Sequence, residues 1–173
     1  LSSIRVLEIC DEAGVLAGKI LGDLGADVVK VEAPGGDLRG RRPPYLGGVS
    51  DPERSLAWLA LNASKRGITL DPDLSEGRAV LQRLLDRTDV LLDTFAPGTL
   101  EAWGLESRYP RLVRCAITPF GQSGPHSRLR ASDLVVVAMG GNASMTGDSD
   151  RPPVRCTLPT SYYHAAPEAV LGV

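Results

Sequence analysis

Six basic side chains lie in predicted loops or at the start of a predicted strand, where they could bind an anionic ligand. They are Arg39, Arg41, Arg42, Lys65, Arg66 and Arg130. Guanidinium and ammonium groups that converge on one rim of a sheet suit phosphate groups. A solvated basic rim, balanced by acids elsewhere, accounts for the same residues equally well. Taken alone, these residues predict at most a domain that binds an anionic small molecule.

Glu32 ends the second strand of a predicted βαβ unit, where dinucleotide-binding folds place the acid that binds the ribose. The glycine fingerprint of those folds is absent, because the first turn reads CDEAG over residues 10–14. Two acids at a helix N-terminus would repel a pyrophosphate. The pattern therefore disfavours NAD binding.

Residues 121–125 nearly match the nucleophile elbow of serine hydrolases, but Pro125 stands where the second glycine belongs. Neither His126 nor His164 has a partner acid at a suggestive spacing, so Ser123 is better explained as part of a plain turn. No group of His, Cys and carboxylate residues has the spacing of a zinc site, and no glycine-rich loop ends in Gly-Lys-Ser/Thr. The sequence thus predicts neither a metal site nor a nucleoside triphosphate site.

The elements that must position these residues alternate between strand and helix. We predict strands over residues 4–9, 27–32, 65–71, 90–93 and 112–118, and helices over 15–24, 74–87, 99–103, 134–139 and from about 161. Ser132 or Asp133 could cap the fourth helix. Alternation of this kind predicts an α/β fold with a Rossmann-like, mostly parallel sheet and helices on both faces. Ligands bind where loops leave the carboxyl ends of such strands, so residues 33–39 are the first candidates.

Composition limits the class of protein further. The chain of 173 residues, with 43% hydrophobic residues and a net charge of −2, predicts one globular domain without a nucleic-acid surface. No apolar run approaches the roughly 18 residues of a membrane span, and we expect a cytoplasmic protein. Cys10, Cys115 and Cys156 are widely spaced and odd in number, which favours buried thiols over disulfides.

Several segments, read in order, match one known family. They are VLE at residues 6–8, LGADVVKVE at 24–32, PGGD at 34–37, NASKRGITLD at 62–71, FAPG at 95–98, PRLV at 110–113, FGQSGP at 120–125 and PPVR at 152–155. Together they resemble the N-terminal part of the class III coenzyme A transferases (the CaiB/BaiF type), relatives of formyl-CoA transferase and α-methylacyl-CoA racemase.

The resemblance implies that residues 1–173 form a Rossmann-like large domain that binds CoA and uses no metal. It also implies an interlocked homodimer or heterodimer with a homologous subunit, and no nucleic-acid or membrane partner. Family members are much longer than this chain. Its end at Val173, within a predicted helix, therefore suggests a fragment that lacks the small domain.

By matching position, the resemblance places CoA contacts on residues 33–39 and on five single residues. Arg39 and Arg130 would suit the phosphates. The remaining contacts would serve the adenine and the pantetheine, and they fall on Leu70, Thr94, Phe95 and Trp103. Thr94 departs from the family pattern, which commonly has Asn there.

The larger departure concerns the catalytic carboxylate of the family, an Asp that attacks the acyl-CoA thioester. Its position matches Tyr162, and no acid occurs between Asp150 and Glu168. A phenol with a pKa near 10 cannot replace a carboxylate that forms a mixed anhydride. The histidine position of the racemases matches Ser132. We therefore expect no catalytic residue at the family position.

Three interpretations stay open. The missing Asp favours a degenerate subunit that pairs with an active, Asp-bearing homologue, as in heteromers such as benzylsuccinate CoA-transferase. An active transferase or racemase with its nucleophile elsewhere is the second interpretation, with Glu168 as the nearest acid in the sequence. A CoA-binding scaffold without catalysis is the third.

Overall fold

The fold is known from a computed structural model that describes residues 1–37, 40–105 and 107–173. Its centre is a five-stranded, all-parallel sheet with the order β3-β2-β1-β4-β5. The strands are β1 Arg5–Ile9, β2 Asp27–Glu32, β3 Lys65–Thr69, β4 Val90–Asp93 and β5 Val113–Ala116. The predicted α/β class is confirmed, and β2 and β4 have the predicted bounds.

In the described part of the chain, six α-helices connect or follow the strands. They are α1 Val15–Asp23, α2 Leu56–Asn62, α3 Ser75–Leu85, α4 Thr99–Ala102, α5 Asp133–Met139 and α6 Thr160–Gly172. Helix α2 occupies an apolar stretch for which the sequence predicted no element, and it begins where the Ser55 hydroxyl accepts a hydrogen bond from the Trp58 N–H. The predicted helices over 15–24, 74–87 and 134–139 match α1, α3 and α5 within one or two residues.

Each face of the sheet packs against its own helices. One apolar cluster joins Val6 and Leu92 to α1 and α6, where Ala166 is fully buried. The other joins Leu7 and Leu91 to α3 and α4. Helices therefore cover both faces, and the loops at the carboxyl ends of the strands stay free to form a site.

The cysteines only partly follow the sequence-based expectation. Cys10 is buried and burial raises its pKa well above the ordinary value, with the Glu8 carboxylate adding to the effect. Cys115 is half-buried and Cys156 is exposed. The expectation of three buried thiols was wrong for Cys156, because the segment that follows residue 146 runs over the surface without strand pairing.

Candidate functional site

Tyr162, predicted to match the family nucleophile, lies in the first turn of α6 beside a narrow cleft of about 50 Å³. The N-terminus of α6 is held by Asp133, whose carboxylate accepts hydrogen bonds from the Ser161 N–H at 3.0 Å and the Ser161 hydroxyl at 2.7 Å. Ser132 is the N-cap residue of α5, one of the two positions predicted for the cap. Among the described residues, the side chain of Ser132 makes no cap bond, and Asp133 serves α6 instead.

The cleft brings together parts of the chain that are far apart in sequence. Its walls come from the β1–α1 loop, the loop after β2, helix α2 and the start of α6. They consist of Glu12, Val15, Asp37, Gly40, Arg42, Ala57, Trp58, Leu61, Asn62, Pro159, Tyr162 and Tyr163. Aromatic rings, one arginine and two carboxylates therefore surround the phenol.

The environment of Tyr162 is acidic. Burial raises the pKa of its phenol above the ordinary value, and the carboxylates of Glu12, Asp11 and Asp133 raise it further. A hydrogen bond from the backbone of Asp133 acts in the opposite direction. A phenol with a raised pKa lacks the negative charge with which a catalytic carboxylate attacks a thioester.

Glu12 is a carboxylate that lines the cleft together with Tyr162. Its side chain is 28% exposed and lies 2.6 Å from the Arg42 guanidinium. Glu168, the nearest acid in sequence, is exposed on α6 and does not line the cleft. No pattern in the sequence pointed to Glu12, because its proximity to Tyr162 depends on how α6 packs against α1.

The loop after β4 carries two of the predicted CoA contacts and is held by buried polar groups. Asp93, fully buried, accepts from the Phe95 N–H at 3.1 Å and from Nε of Arg114 at 2.8 Å. The Gln122 amide donates to the Phe95 carbonyl at 3.2 Å. The hydroxyl of Thr94 accepts from the Asp11 N–H at 3.0 Å, so this residue ties the β4 loop to the β1–α1 loop.

The structure brings the apolar CoA candidates together. Phe95 and Trp103 pack edge to face with their ring centroids 5.0 Å apart, and Leu70 belongs to the same apolar cluster. Arg130 is exposed in the loop before α5. Arg39 lies outside the described residues.

Most of the other cations are engaged by carboxylates. Arg41 pairs with Glu32 at 3.2 Å and with Glu53, and stacks on Trp58 at 4.0 Å. Arg42 is held by Glu12 in the cleft. Of the two alternatives left open by the sequence, the described cations favour pairing with acids, because Arg66 binds Asp27 at the opposite end of the sheet.

A larger groove of about 730 Å³ lies away from this site. It runs between α3 and the first halves of β1, β2 and β3, with Leu7, Val29 and Ile68 among its apolar lining. Tyr162 and the CoA candidates line the opposite, carboxyl end of the sheet. The size of the groove alone therefore does not make it the candidate active site.

Three charged residues inside the core complete the description of the β1–α1 region. The Glu8 carboxylate is fully buried and lies 3.1 Å from Nζ of Lys30 and 2.7 Å from Nζ of Lys65. The two lysine side chains are only 3% and 2% exposed. In the sequence, this cluster was indicated by Glu8 in β1 and Lys30 in β2, each a charged residue in a mostly apolar strand.

Comparison with known proteins decides the family. The sequence profile described as CoA-transferase family III matches residues 1–173. The chain belongs to this family. Its predicted resemblance to the class III CoA-transferases is thereby confirmed.

Individual relatives agree with this assignment. The chain is 39% identical to succinyl-CoA–D-citramalate CoA-transferase of Chloroflexus aurantiacus over 99% of its length. It is 34% identical to a subunit of succinyl-CoA:(R)-benzylsuccinate CoA-transferase of Thauera aromatica, again over 99%. These matches cover 44% and 43% of the two relatives, so the chain spans less than half of their length.

Solved structures show the same fold. A CaiB/BaiF family protein of Brucella suis superposes with a TM-score of 0.85 at 32% identity, over 99% of this chain and 48% of that one. A hypothetical protein of Mycobacterium tuberculosis gives a TM-score of 0.82 at 32% identity, again over 99% of this chain and 48% of that one. Within the part of the chain that the structure describes, no helix is both long and apolar enough to cross a membrane.

Proposed function

We propose that residues 1–173 form the CoA-binding large domain of a CoA-transferase-family protein that moves CoA between carboxylic acids in the cytoplasm. Family membership and the apolar group formed by Leu70, Phe95 and Trp103 at the carboxyl end of the sheet support this proposal. Aromatic and aliphatic side chains suit an adenine ring and the pantetheine arm. Arg39 and Arg130 would bind the phosphates.

We further propose that the chain acts as a subunit without its own nucleophile and pairs with an Asp-bearing homologue in a dimer. The single observation that carries this proposal is the environment of Tyr162, which the resemblance matches to the family's catalytic position: burial and the carboxylates of Glu12, Asp11 and Asp133 raise the pKa of its phenol. The similarity to a named subunit of a heteromeric transferase is consistent with it. The proposed chemistry proceeds through carboxylates and thioesters, which need no metal.

CoA titration with a Phe95→Leu variant tests the binding site. Loss of the ring contact with CoA should weaken affinity roughly threefold to tenfold, since aromatic contacts contribute about 0.5–1.5 kcal/mol. Calorimetry supplies the measurement. Phe120→Leu is the matched control, because Phe120 is the chain's other phenylalanine and packs on His126 instead. Equal CoA affinity in the two variants would show that CoA does not bind at Phe95. No binding at millimolar CoA would leave only a structural role for the chain.

The second candidate is an active transferase whose nucleophile is Glu12, and the position of this carboxylate beside Tyr162 favours it. Hydroxylamine trapping after incubation with succinyl-CoA separates the two candidates, because it converts an enzyme-bound glutamyl thioester into a hydroxamate and free CoA. The subunit proposal expects no adduct on this protein alone. A hydroxamate at Glu12, lost in Glu12→Gln and retained in Glu168→Gln, would establish the second candidate instead.

A further inference from the structure

The buried charges in the core are not balanced, and this asymmetry calls for a physical reason. Glu8 supplies one negative charge, whereas Lys30 and Lys65 supply two positive charges in the same enclosed volume. Removing three charges from water costs more than their mutual attraction generally returns, and apolar residues of similar size often stabilise such a site equally well or better. Stability alone therefore does not explain why these side chains are charged.

The remaining hydrogen bonds of the two ammonium groups indicate another role. Nζ of Lys30 donates to the Cys10 carbonyl at 3.0 Å, at the end of β1. Nζ of Lys65 donates to the Val15 carbonyl at 2.8 Å, in the first turn of α1, and also to Oδ1 of Asn62 at 3.2 Å, at the end of α2. The two lysines thus hold the two ends of the β1–α1 loop, and the Glu8 carboxylate connects them.

Two further contacts restrict the same loop. Its middle is held by Thr94, whose hydroxyl accepts from the Asp11 N–H. Helix α1 lies so close to the Glu8 carboxylate that a Cβ at Gly18 would stand 1.7 Å from Oε2. The carboxylate cannot move away without separating from both ammonium groups. The loop that carries Glu12 into the cleft is consequently fixed from inside the core.

We propose that Lys30 and Lys65, joined by Glu8, are positioning residues that fix the β1–α1 loop so that Glu12 faces Tyr162. Apolar side chains could fill the same volume but could not donate to the carbonyls of Cys10 and Val15. The inference goes beyond the proposed function, because it concerns the shape of the loop and holds whether or not CoA binds there.

Hydrogen exchange in the triple variant Glu8→Leu/Lys30→Met/Lys65→Met tests this inference. We expect a thermal midpoint no lower than that of the unchanged protein. Exchange at the hydrogen-bonded amides of Asp11, Ala13 and Gly14 should become about tenfold faster or more, because the loop loses charge-assisted bonds at both ends. Amides of β5, which is separated from the triad by β4, serve as the internal control.

A second variant covers the case in which the triple variant does not fold. Lys30→Met removes the bond to Cys10 and keeps the Glu8–Lys65 pair, so exchange should accelerate at Asp11 more than at Val15. Unchanged loop exchange in a folded variant overturns the proposal. Failure of both variants to fold also overturns it, since the triad would then serve stability. If a folded variant also loses CoA affinity, the position of the β1–α1 loop matters for CoA binding as well. If the unchanged protein does not bind CoA, only the proposed function is contradicted.

Discussion

Replacing Glu8 by glutamine is expected to destabilise the fold by about 3–5 kcal/mol, the range for breaking a buried ion pair from one side. The substitution keeps the shape of the side chain but leaves Lys30 and Lys65 without a counter-charge inside the core. Two uncompensated ammonium groups would then repel each other in a medium of low polarity. Urea denaturation followed by circular dichroism measures the loss.

The stability lost in Glu8→Gln should decrease as the pH rises, because the buried Lys65 can then lose its proton. Burial lowers the pKa of Lys65 below its ordinary value of 10.5, and the Glu8 carboxylate opposes this shift. Without the carboxylate the pKa falls further, so the folded variant binds fewer protons than the unfolded chain in the window below 10.5. Stability therefore increases with pH in that window. Glu168→Gln, at an exposed site, is the control, and equal stability of the two variants would show that the core tolerates the charge.

Replacing Gly77 by alanine is expected to destabilise the fold by roughly 2–3 kcal/mol. Gly77 is buried in the first turn of α3, and a Cβ there would stand 1.7 Å from the Asp71 carbonyl oxygen. Because the obstacle is backbone, either the turn after β3 or the helix must shift. The gain of about 1 kcal/mol that alanine brings to a helix offsets only part of that cost.

Gly172→Ala supplies the matched comparison for Gly77→Ala. Gly172 lies at the end of α6, and a Cβ there would meet no described residue outside its own helical turn within 4 Å, so only the helix preference remains. We expect unchanged or slightly raised stability there. If Gly77→Ala is as stable as Gly172→Ala in the same denaturation experiment, the turn at Asp71 can shift without lowering the free energy of unfolding. Leu70, a proposed CoA contact, immediately precedes that turn, so a shifted turn should also weaken CoA binding.

The architecture and the family could both be predicted from local patterns in the chain. Buried apolar runs such as those of β2 and β4 are local properties, and so is the 3.6-residue apolar period of α3. Such patterns depend on neighbours within one element, and they predicted the parallel sheet with helices on both faces. Counting from PPVR at residues 152–155 likewise predicts that Tyr162 stands at the position of the family nucleophile.

Helix caps and loop contacts were less predictable, because each has several candidate partners in the sequence. Ser132 and Asp133 are both good cap residues, and only the packing of α5 against α6 directs Asp133 to Ser161. Likewise, Thr94 reads as a ligand contact by position. In the folded chain its hydroxyl accepts from Asp11, which lies 83 residues earlier.

The pairing of charges emerged from the folded chain alone. Arg42 was a candidate for anion binding or for pairing with an acid, and it pairs with Glu12 in the cleft that Tyr162 lines, while Lys65 reaches Glu8 inside the core. Charge attraction is long-ranged and does not depend on sequence spacing, so a cation has many possible partners until packing selects one. The sequence therefore predicted Tyr162 in place of the family's Asp, whereas the fold showed the Glu12 carboxylate in the same cleft and the buried lysines that donate to the carbonyls of Cys10 and Val15.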